Sequence, residues 1–150
     1  MEIIKYNKKY KKELNSWQDK EKQLGLSGLE DFVVVKGTLL GDYLELIDGE
    51  MDIVCKLALE ENALVGFVCY EKRKGGEYHI EIMGVNPDCR GRGYSQRLLT
   101  ALKELLSKED DFRSLSLSVN VRNTTGQKAF DKVGKAIGIS DNENYIEYEI

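Results

Sequence analysis

Proline is almost missing from this sequence: Pro87 is the only one in 150 residues. No Ser/Pro-rich linker, repeat or low-complexity run divides the chain, so a single domain over residues 1–150 is expected. Cysteine is scarce as well. Cys55, Cys69 and Cys89 are odd in number and form no CxxC. That excludes a disulfide framework and a thiolate zinc set. The expectation is free thiols in a reducing cytoplasm, with no metal. Long apolar runs are absent, and nothing approaches the ~18 residues of a membrane span. The opening MEIIKYNKKYKKEL turns to lysine after four residues, so neither a signal peptide nor a membrane partner is expected. Excess positive charge is missing too. Lys and Arg total 22 against 26 Asp and Glu, a net charge of −4. A general nucleic-acid binder should be basic, so no nucleic acid is expected as a partner. What remains is 41% hydrophobic and 32% charged, the balance of a soluble globular chain.

Periodicity supplies the elements. Residues 2–6 read as a short first strand. Residues 8–24 are lysine-rich and helical in propensity, with Leu14 and Trp17 one turn apart. Residues 25–52 hold two apolar clusters, 32–35 and 39–47, and read as a short helix with loops. Ile53, Cys55, Leu57 and Leu59 alternate with polar neighbours, as a strand does. Residues 64–70 and 78–85 follow as strands, with turns at 60–62 and 72–76, which makes an antiparallel meander. The period then changes. Tyr94, Leu98, Ala101, Leu102, Leu105 and Leu106 recur at helical spacing. A strand is expected over 114–119, a helix over 124–133 stopped by Gly134, and two last strands over 136–139 and 145–150. The fold class is therefore α/β, of the mixed α+β kind. It has a central mixed sheet of six to seven strands flanked by about four helices.

The junction between the third meander strand and the next helix is chemically distinctive. It reads Ile82-Met83-Gly84-Val85-Asn86-Pro87-Asp88-Cys89-Arg90-Gly91-Arg92-Gly93-Tyr94-Ser95-Gln96. A helix begins with unpaired N–H groups and a partial positive charge. Gly91 and Gly93 lack Cβ atoms, so phosphate oxygens can approach the backbone. Arg90 and Arg92 add donors and charge. Together they describe an anion site suited to a pyrophosphate. Neither the P-loop signature nor GxGxxG is present. An Arg-Gly contact to RNA is the competing reading, and the acidic balance opposes it.

At this point the sequence resembles the GNAT superfamily of acyl-CoA-dependent N-acetyltransferases. That family reads Val-x-Pro-x-x-(Arg/Gln)-x-x-Gly-x-(Gly/Ala) before a helix with paired leucines. Here Val85, Pro87, Arg90, Gly93 and Ser95 hold those places, with Ser95 a small replacement for Gly/Ala. A second pattern, Leu-x-Val-x-x-x-Asn with a later aromatic and Gly, is met by Leu117, Val119, Asn123, Phe130 and Gly134.

The resemblance implies acetyl-CoA as acyl donor, with direct attack by an amine in a ternary complex. It implies that the strand before the loop splays from its neighbour at a bulge. Met83, Gly84 and Val85 would then pair with the pantetheine arm. Arg90, Gly91, Arg92, Gly93, Tyr94, Ser95 and Gln96 would hold the pyrophosphate. Asn123 would contact the cofactor or cap the second helix, and Phe130 would pack on the cofactor. His79 and Glu81 lie two apart on one strand and so share a face, which makes them the candidate bases. Glu81 lies nearer the bulge and is favoured, though it needs desolvation to raise its pKa. His79 already titrates near neutrality. A pair acting through water stays open.

The family commonly has a tyrosine as the acid for the leaving thiolate at the place of Phe130, so Tyr145 or water is the substitute. Lys135 stands where an aromatic is usual. The acceptor is expected to be a small or protein-borne amine. A cationic one is favoured by five acids in one segment: Asp42, Glu45, Asp48, Glu50 and Asp52. A homodimer is left open. The alternative is a non-enzymatic acyl-CoA-binding sensor or partner-binding module.

Overall fold

The computed structural model describes residues 1–23 and 38–150. The apolar cluster at 32–35 and the end of the first expected helix at Leu24 lie outside the described residues. Strand β1 (Glu2–Lys5) leads to a short 3-10 turn at Lys8–Tyr10 and helix α1 (Lys11–Gln23). The one helix expected over 8–24 is thus split. Asn7 explains it, because its side chain accepts the Lys9 N–H and starts the tighter turn. Helix α2 (Leu40–Ile47) precedes the meander β2 (Ile53–Glu60), β3 (Ala63–Lys72) and β4 (Glu77–Val85). Then follow α3 (Tyr94–Leu106), β5 (Ser114–Asn120), α4 (Thr124–Asp131), β6 (Lys135–Ile139) and β7 (Tyr145–Glu149).

The strands form one sheet in the order β1-β2-β3-β4-β5-β7-β6. The β4–β5 pair is parallel and the other pairs are antiparallel. The β2–β3 turn uses Glu61 and Asn62, both at positive φ (49° and 67°), the backbone of a tight two-residue hairpin.

Two cores lie on opposite faces of the sheet. On one face, Leu98, Leu99, Leu102 and Leu106 of α3 pack on Val68, Tyr70, Ile80, Leu115, Leu117 and Tyr148. Each such side chain contributes about 1.5–3 kcal/mol by leaving water. Leu105 was expected on that stripe but is exposed at 37%; it lies beside the stripe, not on it. On the other face, Leu14 and Trp17 of α1 and Leu40 and Leu44 of α2 cover Cys55, Leu57, Phe67 and Cys69. The α1–α2 pair covers only the β1–β4 part of that face. Over β5, β7 and β6 it carries Ser114, Ser116, Ser118, Glu147 and Glu149, with no described helix on top. No described helix is long and apolar enough to cross a membrane.

Candidate functional site

The site begins with an irregularity in β4. Cys69 pairs with Ile82 and Tyr70 with Ile80, so Glu81 is an extra residue facing no partner on β3. This is a β-bulge, and it turns the strand over. Ile80 packs in the α3-side core, whereas Ile82 packs in the α1–α2 core. The parallel pairing with β5 stops at the same place. Glu77 to Ile80 pair with Ser114 to Leu117, and no residue beyond Ile80 pairs with β5. Met83, Gly84 and Val85 keep β3 on one side, opposite Val68, Phe67 and Gly66. Their β5-facing edge has no strand partner. The splay implied by the sequence is therefore present, and it opens toward the loop after β4.

That loop is held from below. The Asn86 side chain is buried, donates to the Leu64 carbonyl at 3.1 Å and accepts the Asp88 N–H at 3.0 Å. Pro87 is buried and starts a 3-10 turn over Pro87–Cys89. Lys20 of α1 reaches Asp88 at 2.7 Å. The sequence reading passed over Asn86. An Asn immediately before Pro at a strand end was the signal for it.

Above this base the chain alternates Arg90, Gly91, Arg92, Gly93. Both glycines have φ +76°, a left-handed conformation that side chains resist. A Cβ on Gly91 would meet nothing within 4 Å, and one on Gly93 only Gln96 Oε1 at 3.9 Å. So the glycines are not demanded by protein packing. They set the backbone and leave open space above it. Gly93 caps α3 with no side-chain hydrogen bond. The first intrahelical donor is Arg97 N–H, to the Gly93 carbonyl at 3.2 Å. The N–H groups of Tyr94, Ser95 and Gln96 thus point outward as orphans of the first turn. Arg97 is turned away, to Glu60 at 2.6 Å. Arg90 is partly desolvated, which lowers its pKa, and it remains a cation. A left-handed glycine pair, an uncapped helix start and two arginines fit a diphosphate.

On the α1–α2 side of the sheet, four titratable groups gather at the bulge. Glu71 lies directly opposite His79. Arg73 Nε is 3.4 Å from Glu71 Oε2, and an Arg73 terminal nitrogen is 3.9 Å from Glu81 Oε1. Loss of water raises the Glu81 pKa, and the neighbouring Glu71 carboxyl raises it further; Arg73 opposes both. Desolvation lowers the His79 pKa, with Arg73 acting the same way. His79 Nδ1 is 2.9 Å from Ser116 Oγ. Two of these groups, His79 and Arg73, line a cleft of about 370 Å³ together with Ser116, Ile137 and Glu147. Tyr43 of α2 overlooks the bulge; burial raises its pKa, with smaller effects from Cys69, Cys55 and Glu81. Glu71, Arg73, Ser116 and Tyr43 were not singled out from the sequence. The register of β3, β4 and β5 brings Glu71, Arg73 and Ser116 to His79 and Glu81, and the packing of α2 brings Tyr43.

The remaining candidate residues lie farther along the chain, and for Asn123 capping was one of the two expected roles. Asn123 caps α4, its side chain accepting the Gly126 N–H at 2.8 Å. Phe130 packs edge-on against Tyr148, with ring centroids 5.9 Å apart. Tyr145 opens β7 opposite Asn120 and is 45% exposed. The acidic segment is not a bare rim. Lys11 binds Glu45 at 2.9 Å and Asp42 at 3.4 Å, and Asp48 accepts the Cys55 N–H at 2.9 Å. Much of its charge is used within the fold, because α1 supplies the cation that the segment lacks.

The splay, the glycine turn and the helix behind it coincide with a known family. The match to the Acetyltransferase (GNAT) family covers residues 12–134. The chain belongs to that family. No curated protein matches it. Among solved structures, AAC(6')-Ib in complex with ribostamycin and coenzyme A is similar, with a TM-score of 0.76 and 16% identity over 98% of this chain and 90% of that one. RimL, a ribosomal L7/L12 alpha-N-protein acetyltransferase in complex with coenzyme A, gives 0.72 and 12%, over 99% and 92%. A chimera of spermidine N-acetyltransferase SpeG from Vibrio cholerae and hSSAT gives 0.69 and 9%, over 99% and 93%. At these identities the likeness establishes the GNAT fold. Within that fold, the glycine turn of this chain has the make-up of a coenzyme A phosphate site.

Proposed function

We propose that the protein is an acetyl-CoA-dependent N-acetyltransferase acting on a cationic primary amine, small or protein-borne. The observation that carries this reading is that β4 carries a carboxylate-rich cluster with a raised Glu81 pKa at its bulge and leads, past an open edge, into a turn built to bind an anion. The donor, when bound, supplies a thioester carbonyl open to attack.

The residues of the chain then have three tasks. The turn at 90–96 binds the diphosphate, and the open edge of Met83, Gly84 and Val85 receives the extended arm. Main-chain N–H groups near Val85 meet the thioester oxygen as charge develops on it. Glu81 removes a proton from the amine, directly or through water. An amine of pKa ~10.4 is neutral only about once in 2,500 molecules at pH 7, so this step is worth about 4.6 kcal/mol. A base with a raised pKa suits the work better than an ordinary carboxylate. His79, neutral because its pKa is lowered, is the second acceptor of that proton. A thiol of pKa ~8.5 leaves as thiolate at pH 7 for only about 2 kcal/mol, so Phe130 does not block turnover. Tyr145 or water supplies the final proton.

Cation preference is supported by Glu77, Glu147 and Glu149 lining the cleft, by Glu71 and Glu81 at the bulge, and by similar proteins whose names specify aminoglycosides and spermidine. The test is release of free coenzyme A from acetyl-CoA with a panel containing a polyamine, an aminoglycoside and a peptide with a free N-terminus. Acceptor-dependent release with a cationic amine is expected. Release no faster than hydrolysis with every acceptor contradicts the reading. One observation favours a second reading, an acyl-CoA-binding module without activity: Phe130 has no hydroxyl and its ring is committed to Tyr148. That reading requires calorimetric binding of acetyl-CoA with no turnover.

A further inference from the structure

Cys55 of β2 and Cys69 of β3 are directly opposite each other in the antiparallel hairpin. Both are buried, at 1% and 0% exposure, and their sulfurs are 2.7 Å apart. The kind of pairing matters. Cys55 gives its N–H to Asp48, and its carbonyl accepts the Tyr6 N–H on the β1 side. Both of its main-chain groups therefore point away from β3. Cys55 and Cys69 form a non-hydrogen-bonded pair, the closer kind, with Cα atoms about 4.5 Å apart. Cross-links need Cα separations of about 4.4–6.8 Å and a sulfur–sulfur bond near 2.05 Å. Closure asks for less than about 1 Å of sulfur movement, with the register already correct.

We propose that Cys55 and Cys69 are a disulfide-forming site, oxidised by small-molecule disulfides into a bond across the β2–β3 hairpin. The expectation of three inert thiols is thereby revised for this pair. Two thiols lose two protons and two electrons, and one S–S bond forms. The oxidant's own S–S bond breaks, takes up those electrons and protons, and leaves as two free thiols. Burial and the neighbouring Cys55 push the Cys69 thiol pKa well up, so exchange in the folded chain is slow. The hairpin is local, joined by a two-residue turn, and its register can form while the sulfurs are still accessible during folding. Cys89 lies apart, half-buried in the turn after β4, and does not compete. The bond ties β3 at Cys69, the partner of Ile82 and hence the residue beside the Glu81 bulge. This inference stands independently of acetyl transfer.

The test uses the full chain carrying Cys89→Ala, so that two thiols remain. One sample is held folded with oxidised glutathione, and another is refolded from denaturant in its presence. Thiols are then counted in denaturant and the intact mass is measured. The expected result is loss of both thiols, a mass lower by two hydrogens, and a higher melting temperature than the reduced chain. The unaltered chain, digested without reductant, should give a Cys55–Cys69 cross-linked peptide and none joining Cys89. Two thiols surviving both treatments, a mass raised by glutathione, or links to Cys89 would overturn the proposal.

Discussion

The turn at residues 90–96 follows β4 and the cluster of Glu71, Arg73, His79 and Glu81 sits at the bulge within it, yet they are made of different material. The turn works through main chain. Its donors are N–H groups aimed by two left-handed glycines and an uncapped helix start. Arg90 and Arg92 add charge, and Gly91 and Gly93 matter by having no side chain. The cluster works through side chains carried by two strands, with Ser116 and Glu147 added from two more. Its properties depend on who neighbours whom. Glu81 is raised because burial and Glu71 oppose its charge. One half of the site is therefore sensitive to backbone geometry and indifferent to pH. The other half tolerates backbone-neutral changes but responds to every charge.

The widest separation of the two halves should come from Gly93→Glu. It places a bulky anion at the proposed diphosphate site, and coenzyme A affinity by calorimetry should fall at least ~1,000-fold, about 4 kcal/mol. Gly93→Ala, which opposes only the positive φ, should lose about 1–2 kcal/mol, read as a lower melting temperature. Glu81→Gln should do the opposite of Gly93→Glu. Turnover should drop about 10²- to 10⁴-fold with coenzyme A affinity nearly unchanged. Full turnover in that variant would hand the base role to His79 or water.

Asn86→Ala removes the buried link between turn and β3. It should cost about 1–3 kcal/mol of stability, seen in thermal unfolding. Glu71→Gln should move a pH profile without destroying activity. A base must be deprotonated, so the rate falls as pH drops through its pKa. Because Glu81 is raised, that fall should lie above the ordinary carboxylate range, and Glu71→Gln should shift it to lower pH. A fall governed by His79 would lie below the ordinary imidazole value; Glu71 raises the His79 pKa as well, so Glu71→Gln would move that fall the same way, and it is a fall that persists in Glu81→Gln that would identify His79. Phe130→Tyr should have the smallest effect, under about tenfold in rate, since thiolate departure is worth only about 2 kcal/mol.

The same contrast explains what could be read from the sequence. Local alternation gave β2 through β5 to within a few residues, because each strand buries one or both faces against the cores. The glycine turn was legible because φ and close approach are written in single residues: Gly91, Gly93 and Pro87. His79 and Glu81 were legible as same-strand neighbours. Their partners were not, since Glu71 meets His79 only through the β3–β4 register and Ser116 only through β5. The resemblance implied a bulge in β4, but its position at Glu81 was hidden, for it depends on how many residues β3 sets opposite β4. The counter-ion of the acidic segment was hidden for the same reason: Lys11 is 34 residues from Glu45.

The most direct measurement is an amide shift map of the isotope-labelled chain titrated with coenzyme A. The largest movements are expected at Gly91, Gly93, Tyr94, Ser95 and Gln96, where orphan N–H groups would meet phosphate oxygens, and at Met83 to Val85 along the open edge. Saturable binding that leaves those amides in place and moves others would contradict the assignment of the glycine turn.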